Sequence, residues 1–423
     1  MRGVAAGMLL VLTAGCTAGE EPGMGSTERT EPSSPSATAS ESETVTGSPD
    51  ATAQPTAPPG RLAADLRQAT WDDDLGAARR LVEQGADVNA KDDTQQSAYL
   101  IAASEGRDRI LELTLRNGAR VNDKDSFNGT ALIRAAERGH AWATGRLLQA
   151  GIDRDHVNNL GWQAVHEAVW LGEPTREYVD TVRVLVAGGV QLDRTALGQG
   201  LTPLEMARSK GHDGQVATLE RARAEAPADP DALLLRAAAE GDPDSVAMAL
   251  RHGADLETRD ERRRTPLLLA VTEDRVAVAR LLVAMGADPD AVDHQQDTPW
   301  LVTGVTGSVP MLEALLPADP DLTITNRYGG VSVIPASERG HVEYVRRVVQ
   351  TPIDVDHVND LGWTALLEAV VLGDGGPAHQ EIVRILLDAG ADPSIEDNDG
   401  NTALENARRL GHDEIARILE QAR

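Results

Sequence analysis

A short phrase recurs roughly every 33 residues along most of this chain, which has 423 residues. Each copy has a polar turn, a Thr-Pro-Leu-like step, an Ala-rich stretch and a second apolar run. Clear copies begin at Thr130, Thr202, Thr265, Thr298, Thr364 and Thr402. The period fits a turn followed by two antiparallel helices, a unit that cannot bury its own apolar face. The repeat therefore predicts an all-α solenoid in which every unit is stabilised by its neighbours.

Two segments carry a family resemblance. Residues 128–140 read Asn-Gly-Thr-Ala-Leu-Ile-Arg-Ala-Ala-Glu-Arg-Gly-His, and residues 399–404 read Asp-Gly-Asn-Thr-Ala-Leu, followed by Gly411 and His412. Both resemble ankyrin repeats, and the resemblance extends over most of the chain from about Arg61 onward. It implies helix-turn-helix units with projecting hairpin loops. It also implies that the Thr hydroxyl and the Gly-His pair brace turns, so we expect no metal site at the Gly-His pairs.

A longer similarity lies over the short one. The heptapeptide His156–Trp162 returns 201 residues later as His357–Trp363, with one Asn replaced by Asp. Around Glu225 to Asp231 the rhythm breaks, and two prolines stand between apolar runs. We therefore expect two tandem arrays, residues 61–225 and 232–423, joined at residues 226–231. Stacked end to end they would form a long curved rod with one concave working face.

Residues 1–16 resemble a bacterial lipoprotein signal. Arg2 precedes an apolar stretch from Val4 to Leu12, and Cys16, the only cysteine, follows small residues. The resemblance implies a lipid on Cys16 and a location on the extracytoplasmic face of the cell membrane. The sequence departs from the usual pattern because Thr13 stands where that family has Leu. Secretion after ordinary signal cleavage, or a cytoplasmic protein with a misread start, are the alternatives.

Residues 17–60 are rich in Ser, Thr, Pro and Glu and contain no aromatic residue. Such a composition buries too little apolar surface to offset the conformational entropy lost on folding. We expect a disordered linker that spaces the folded part from the membrane.

Composition and motifs argue against several function classes. The formal charge of −27 opposes binding to nucleic acid. A lone cysteine excludes internal disulfides, and the sequence contains no phosphate loop or serine-nucleophile elbow. His166-Glu167 lacks the second histidine of a zinc helix. We expect no enzyme, no cofactor and no metal site, and a monomer attached to the membrane through its lipid only.

The remaining candidates for function lie at the turn tips and along the inner helices, which line the concave face of a solenoid. Trp, Tyr and Arg are the residue types that most often anchor protein interfaces. The predicted partner-binding residues are Phe127, Leu160, Trp162, Glu167, Trp170, Tyr328, Leu361, Trp363 and Glu368. For the two tip tryptophans, local packing along the array is the alternative.

The favoured function is a scaffold that binds a protein partner. The alternatives are a lipid-anchored receptor for a cell-envelope polymer or small ligand, and an unrecognised hydrolase. Two segments, Gly172–Leu185 and Gly373–Leu386, are five residues longer than Gly139–Leu147, which corresponds to them. They are either tolerated insertions or a protruding rim for the partner.

Overall fold

The computed structural model describes residues 59–422, which belong to one compact unit. The predicted signal at residues 1–16, its Cys16, and the linker up to residue 58 lie outside the described residues. The described residues form 22 α-helices and no strand, apart from two isolated bridges. The helices follow one another in antiparallel pairs.

The first five pairs are α1 (Pro59–Trp71), α2 (Leu75–Glu83), α3 (Ala98–Glu105), α4 (Asp108–Arg116), α5 (Ala131–Glu137), α6 (Ala141–Gln149), α7 (Ala164–Trp170), α8 (Arg176–Ala187), α9 (Pro203–Lys210) and α10 (Asp213–Ala222). The next six pairs are α11 (Pro230–Glu240), α12 (Pro243–Arg251), α13 (Pro266–Thr272), α14 (Val276–Ala284), α15 (Pro299–Thr306), α16 (Val309–Leu315), α17 (Val333–Glu338), α18 (Val342–Val348), α19 (Ala365–Val371), α20 (Pro377–Asp388), α21 (Ala403–Leu410) and α22 (Asp413–Gln421). A 3-10 turn, Leu316–Ala318, follows α16.

The repeated Thr-Pro-Leu-like step begins the first helix of six of the eleven pairs, namely α5, α9, α13, α15, α19 and α21. At α13, the side chain of Thr265 accepts a hydrogen bond from the backbone N–H of Leu268, and Pro266 occupies the first turn. Such a cap satisfies a backbone donor that the helix leaves free, and proline needs no donor there. Glycine ends several of these helices, as Gly211 does with a φ of 69°, a left-handed conformation that suits a residue without a side chain.

Stacking of the pairs produces two layers. Odd-numbered helices pack against odd-numbered neighbours in an inner row, and even-numbered helices form an outer row. Inner helices carry fully buried alanines such as Ala102 and Ala135, which let neighbours approach closely, while residues such as Ile110 and Leu147 fill the space between rows. The predicted all-α solenoid of helix pairs is confirmed.

The two halves of the solenoid do not continue as one rod. After α10, residues 223–229 connect to α11, and the second half then packs its outer helices against the outer helices of the first half. Helix α12 contacts α8 and α10, and α14 contacts α6 and α8. The expectation of a single curved rod is therefore wrong. The inner rows of the two arrays face away from this back-to-back seam, so the molecule has two separate concave faces.

Small residues make the seam possible. A Cβ added to Gly145 of α6 would lie 1.9 Å from the carbonyl oxygen of Ala284 in α14, so the two backbones are in contact. The side-chain amide of Gln149 donates to the same carbonyl at 2.7 Å. Ion pairs cross the seam between Arg183 and Asp244, at 2.8 Å, and between Arg280 and Asp180, at 3.5 Å. The periodic sequence pattern contains no sign of this long-range contact.

Gly145→Ala tests the seam. The added methyl must push α14 away from α6, so we expect the free energy of unfolding to fall by about 1–3 kcal/mol. We also expect the radius of gyration from small-angle X-ray scattering to rise, with helix content by circular dichroism unchanged. Gly76→Ala is the matched control because its Cβ would meet only ordinary contacts at 3.4 Å in α2. A Gly145→Ala protein with wild-type stability and dimensions would show that the seam does not form in solution.

Candidate functional site

Asparagine side chains fold the hairpin tips of two repeats in the same way. The Oδ1 of Asn158 accepts hydrogen bonds from the backbone N–H of Leu160, at 3.0 Å, and of Trp162, at 3.1 Å. Asn359 forms the same two bonds, 201 residues later. Each loop therefore turns tightly over its asparagine, and a leucine is left at the apex.

The apolar tips of neighbouring repeats lie side by side. The backbone N–H of Asn159 donates to the carbonyl of Phe127 at 3.1 Å, and that of Asp360 donates to the carbonyl of Tyr328 at 2.9 Å. Phe127 thus lies beside the tip that carries Leu160, and Tyr328 lies beside the tip that carries Leu361. The four tip side chains are between 49% exposed, for Leu361, and 64% exposed, for Phe127. The structure places these four predicted residues on the surface, in two rows.

The first row contains a member that the sequence prediction missed. Leu197, 70% exposed, lies in the next hairpin. A Cβ added to Gly161 would come within 2.4 Å of its side chain, so Leu197 adjoins the tip of Leu160. The signal was present in the sequence, because Leu197 precedes a glycine as Leu160 and Leu361 do.

The tip tryptophans pack along the array. Trp162 is only 5% exposed; its ring meets the edge of Trp170 at 6.2 Å between centroids, and its Nε1–H donates to Gln199 at 3.3 Å. Trp363 is half-buried and packs against the core. Trp170, also half-buried, has the ammonium of Lys210 5.5 Å from its ring centroid. Trp162 offers almost no surface, so its burial favours the alternative of local packing over direct contact with a partner.

The two predicted glutamates are buried beneath the tips. Glu167, 2% exposed, accepts a hydrogen bond from the amide of Asn158 at 2.6 Å, and its other oxygen has no partner. Glu368, 6% exposed, accepts from Asn359 at 2.8 Å. Burial raises the pKa of each carboxyl to about 7, and a second glutamate on the neighbouring inner helix adds to the shift. Because both carboxyls are buried, a partner has little access to them. Their structural role is to hold the asparagines of the tips.

The two long segments extend the outer helices. Helices α8 and α20 each have 12 residues, whereas α6 has 9. The added turn carries Tyr178 in one array and His379 in the other. The Tyr178 hydroxyl donates to the carbonyl of Glu137 at 3.1 Å, and Nε2 of His379 donates to the carbonyl of Glu338 at 3.0 Å. The insertions therefore pack back onto the inner row. They contact the ends of α5 and α17, at Glu137 and Glu338.

Histidines of the Gly-His pairs bridge neighbouring repeats. Nε2 of His140 lies 3.1 Å from the carbonyl of Ser104, and Nε2 of His341 lies 3.2 Å from that of Val305. Within residues 59–422, no three His, Cys, Asp or Glu side chains come together as metal ligands would. A cavity of about 450 Å³ lies at the seam beside Gln149, and none of the predicted site residues lines it.

We predict that replacing the buried carboxyls of Glu167 and Glu368 stabilises the protein, and that the gain depends on pH. Below pH 4.5 the carboxyl is protonated in both the folded and the unfolded chain. Between 4.5 and about 7 only the unfolded chain loses the proton, so wild-type stability falls as pH rises. Above pH 7 the carboxyl is ionised in both states, and the loss of stability caused by its burial reaches its full value. We expect Glu167→Gln and Glu368→Gln each to stabilise the protein by about 1–3 kcal/mol at pH 8 and by little at pH 4.5.

Denaturant unfolding at both pH values measures the effect. Glu343→Gln is the control, because this side chain is exposed on α18 and pairs only with Arg346, at 3.6 Å. It should change stability little at either pH. A loss of stability at pH 8 in the buried variants would mean that these carboxylates are needed in their ionised form.

Comparison with known proteins identifies the repeat. A family model described as ankyrin repeats (3 copies) matches residues 66–158, 99–196, 234–326, 305–397 and 333–422. The ankyrin repeat protein YahD of Escherichia coli (strain K12) is 41% identical over 168 residues, which is 40% of this chain and 84% of YahD. Ankyrin repeat domain-containing protein 63 of Mus musculus is 38% identical over 114 residues, 27% of this chain and 28% of the mouse protein.

Among solved structures, an ankyrin repeat domain from Acinetobacter baumannii AYE is 44% identical. It aligns with 45% of this chain and 96% of its own, with a TM-score of 0.44. In the described part of the chain, no helix combines the length and the apolar character needed to cross a bilayer. Since the family model matches well over half of its residues, the chain belongs to the ankyrin-repeat family.

Proposed function

We propose that this protein is a non-enzymatic interaction scaffold, attached to the extracytoplasmic face of the cell membrane by a lipid on Cys16. It binds a protein partner through its apolar tips and concave inner faces. Ankyrin repeats are generally protein–protein interaction modules, and nothing in the described residues points to catalysis. We further propose that the scaffold is a monomer.

The observation that carries this proposal is the pair of apolar tip rows. Phe127, Leu160 and Leu197 form one row, and Tyr328 and Leu361 form the other. Contiguous exposed apolar patches on a soluble protein can mark sites of association, whereas single exposed apolar residues are common. Aromatic side chains in such a patch bury a large area on binding.

Rigidity of the tips favours tight association. The Leu160 and Leu361 tips are each held by an asparagine and by a hydrogen bond to the preceding tip. A surface that is already ordered loses little conformational freedom when a partner binds. The buried Trp162, Glu167 and Glu368 support these loops from below, so their contribution to binding is indirect.

The anchor is proposed from residues 1–16 alone, since they lie outside the described residues. The apolar stretch before Cys16 and the small residues around it favour lipidation. A linker of about 40 residues of this composition would have an end-to-end distance on the order of 35–40 Å. It would let the repeat array reach partners away from the membrane surface.

Loss of the tip leucines should weaken partner binding. We expect Leu160→Ser with Leu361→Ser to lower recovery of the partner by about tenfold after crosslinking on intact cells, because the partner loses apolar contacts at both rows. The melting temperature should change little, since both side chains are exposed. Leu410→Ser, at an exposed leucine at the end of α21, is the control.

Identification of the crosslinked protein by mass spectrometry completes this test. Undiminished recovery with the double variant would remove the tips from the binding surface. Retention of the wild-type protein on purified cell wall, with no protein captured, would favour a receptor for an envelope polymer.

Cys16→Ser tests the anchor. A thioether-linked lipid cannot form on serine, so we expect the variant to move from the membrane fraction to the soluble fraction and to lose incorporation of a labelled fatty acid. A Thr17→Ser protein, altered at the next position, should remain in the membrane fraction. Equal distribution of the wild-type and Cys16→Ser proteins would contradict lipid anchoring while leaving the repeat scaffold unaffected.

A further inference from the structure

The first hairpin of the second array carries a basic tip. Residues 259–264, between α12 and α13, contain four arginines, one aspartate and one glutamate, so their net charge is +2 (4 − 2). The chain as a whole has a formal charge of −27. Charges further away than about 8 Å are largely screened at physiological salt, so the local charge decides what this tip attracts. Among the described hairpins, no other tip carries two arginines side by side.

Two of the four arginines are held by the fold, and two are free. Arg259 donates to two backbone carbonyls, at 2.7 and 3.1 Å, and Arg264 pairs with Asp260 at 2.7 Å. The side chains of Arg262 and Arg263 are exposed, and neither forms a hydrogen bond or an ion pair with any described residue. Two guanidinium groups are therefore open to carboxylates from outside.

The backbone of Arg263 adopts a conformation that suits glycine better. Its φ is 63°, whereas the corresponding position holds Gly329, with a φ of 70°, beside Tyr328 and Gly362, with a φ of 81°, beside Leu361. A residue with a side chain costs free energy in this conformation, and glycine avoids that cost. No hydrogen bond or ion pair of the Arg263 guanidinium offsets it within residues 59–422. The side chain is therefore a candidate for contact with another molecule.

The basic tip and the apolar tips of the second array belong to one row of hairpins. The backbone N–H of His294, in the second hairpin, donates to the carbonyl of Arg262 at 3.1 Å. An ion pair of 3.5 Å joins Asp297 of the second hairpin to Arg327 of the third. The carbonyl of Tyr328 joins the third hairpin to the fourth. The row therefore runs from a positive tip, past a polar one, to apolar surface.

The length of the row sets the length of a segment that can follow it. Neighbouring helices pack about 8–10 Å apart, so three steps from the first hairpin to the fourth cover about 24–30 Å. An extended polypeptide advances about 3.3 Å per residue and spans this distance in about seven to nine residues. A segment of that length can reach Arg262 with one end and Leu361 with the other.

We propose that this row binds an extended segment of a partner protein, with carboxylates at one end and apolar side chains at the other. The carboxylates pair with Arg262 and Arg263, whose forked guanidinium groups match their geometry. The apolar side chains contact Tyr328 and Leu361. This inference rests on the proposed scaffold function and names the chemistry of the segment that the scaffold recognises.

Matched peptides test the inference on the full-length protein at physiological salt. Each fluorescent peptide joins Glu-Glu to Leu-Phe through a Gly/Ser spacer of about seven residues, and both orders are made. Reference peptides carry Gln in place of Glu, and a second set has a spacer of one residue. In one of the two orders, we expect fluorescence anisotropy to show at least about fivefold tighter binding of the long Glu peptide than of either its Gln reference or the short Glu peptide.

Three results with the wild-type protein would overturn the inference. They are equal affinity of the Glu and Gln peptides in both orders, equal affinity of the long and short Glu peptides, and no measurable binding of any peptide. Binding of phosphatidylglycerol vesicles that requires Arg262 and Arg263, with no peptide bound, would also overturn it, because the basic tip would then belong to a membrane surface.

A double variant locates the site. Arg262→Gln with Arg263→Gln should abolish the preference for Glu over Gln peptides. Glutamine is compatible with the turn, because Gln95 and Gln296 take the corresponding position in their hairpins with φ values of 64° and 60°. Unchanged melting curves verify folding, and a retained preference for Glu would exclude this tip as the receptor.

Arg79→Gln with Arg80→Gln is the matched control. It removes two adjacent exposed arginines from the outer helix α2, which has no part in the row. The preference for Glu peptides should persist. Its loss in this control would mean that overall charge, and not the basic tip, selects the peptide.

The two proposals fail in different ways. If recovery of the crosslinked partner falls with Leu160→Ser and Leu361→Ser but is unchanged by Arg262→Gln and Arg263→Gln, the scaffold function stands and only this inference is overturned. Recovery that neither double variant lowers would remove the tips from the binding surface and overturn both.

Discussion

Every helix pair in this molecule depends on its neighbours to bury its apolar face. Fully buried alanines such as Ala102 and Ala135 bring the inner helices close together, and leucine and isoleucine of the outer helices fill the layer between. Because the core lies between repeats, the exposed side chains at the hairpin tips contribute little to it. They can vary with small effects on stability, which suits them to the recognition role that we propose.

The back-to-back seam applies a second constraint. Contact between Gly145 and Ala284 brings α6 and α14 together and covers outer helices that a single rod would expose to solvent. The two arrays thereby become one compact unit. Outer helices meet at this seam, and the inner rows take no part in it. The proposed scaffold would therefore offer two separate faces to its partners.

Local periodicity predicted the features that depend on one repeat and its neighbours. The helix pairs, their Thr caps and the exposed apices at Phe127 and Leu160 follow from it directly. The direction of a side chain within a hairpin does not follow from the periodicity. Trp162 comes after Gly161, whose φ is 73°, and its indole packs against Trp170. The seam joins residues 139 positions apart, and the small residues that permit it, Gly145 and Ala284, carry no mark that distinguishes them from other small residues of the outer helices.

Duplication within one chain separates what the fold requires from what a groove recognises. Asn158 and Asn359, with Glu167 and Glu368 below them, are kept in both arrays because each set fixes a tip. Arg134, which pairs with the tip carboxylate of Asp125, is replaced by Pro335 in the second array, where the neutral Asn326 closes the corresponding tip. The two arrays therefore share a frame and differ in one ion pair, Arg134 with Asp125 in the first against Pro335 and the neutral Asn326 in the second. If both faces bind partners, as we propose, this difference on a shared frame is a source of different specificities.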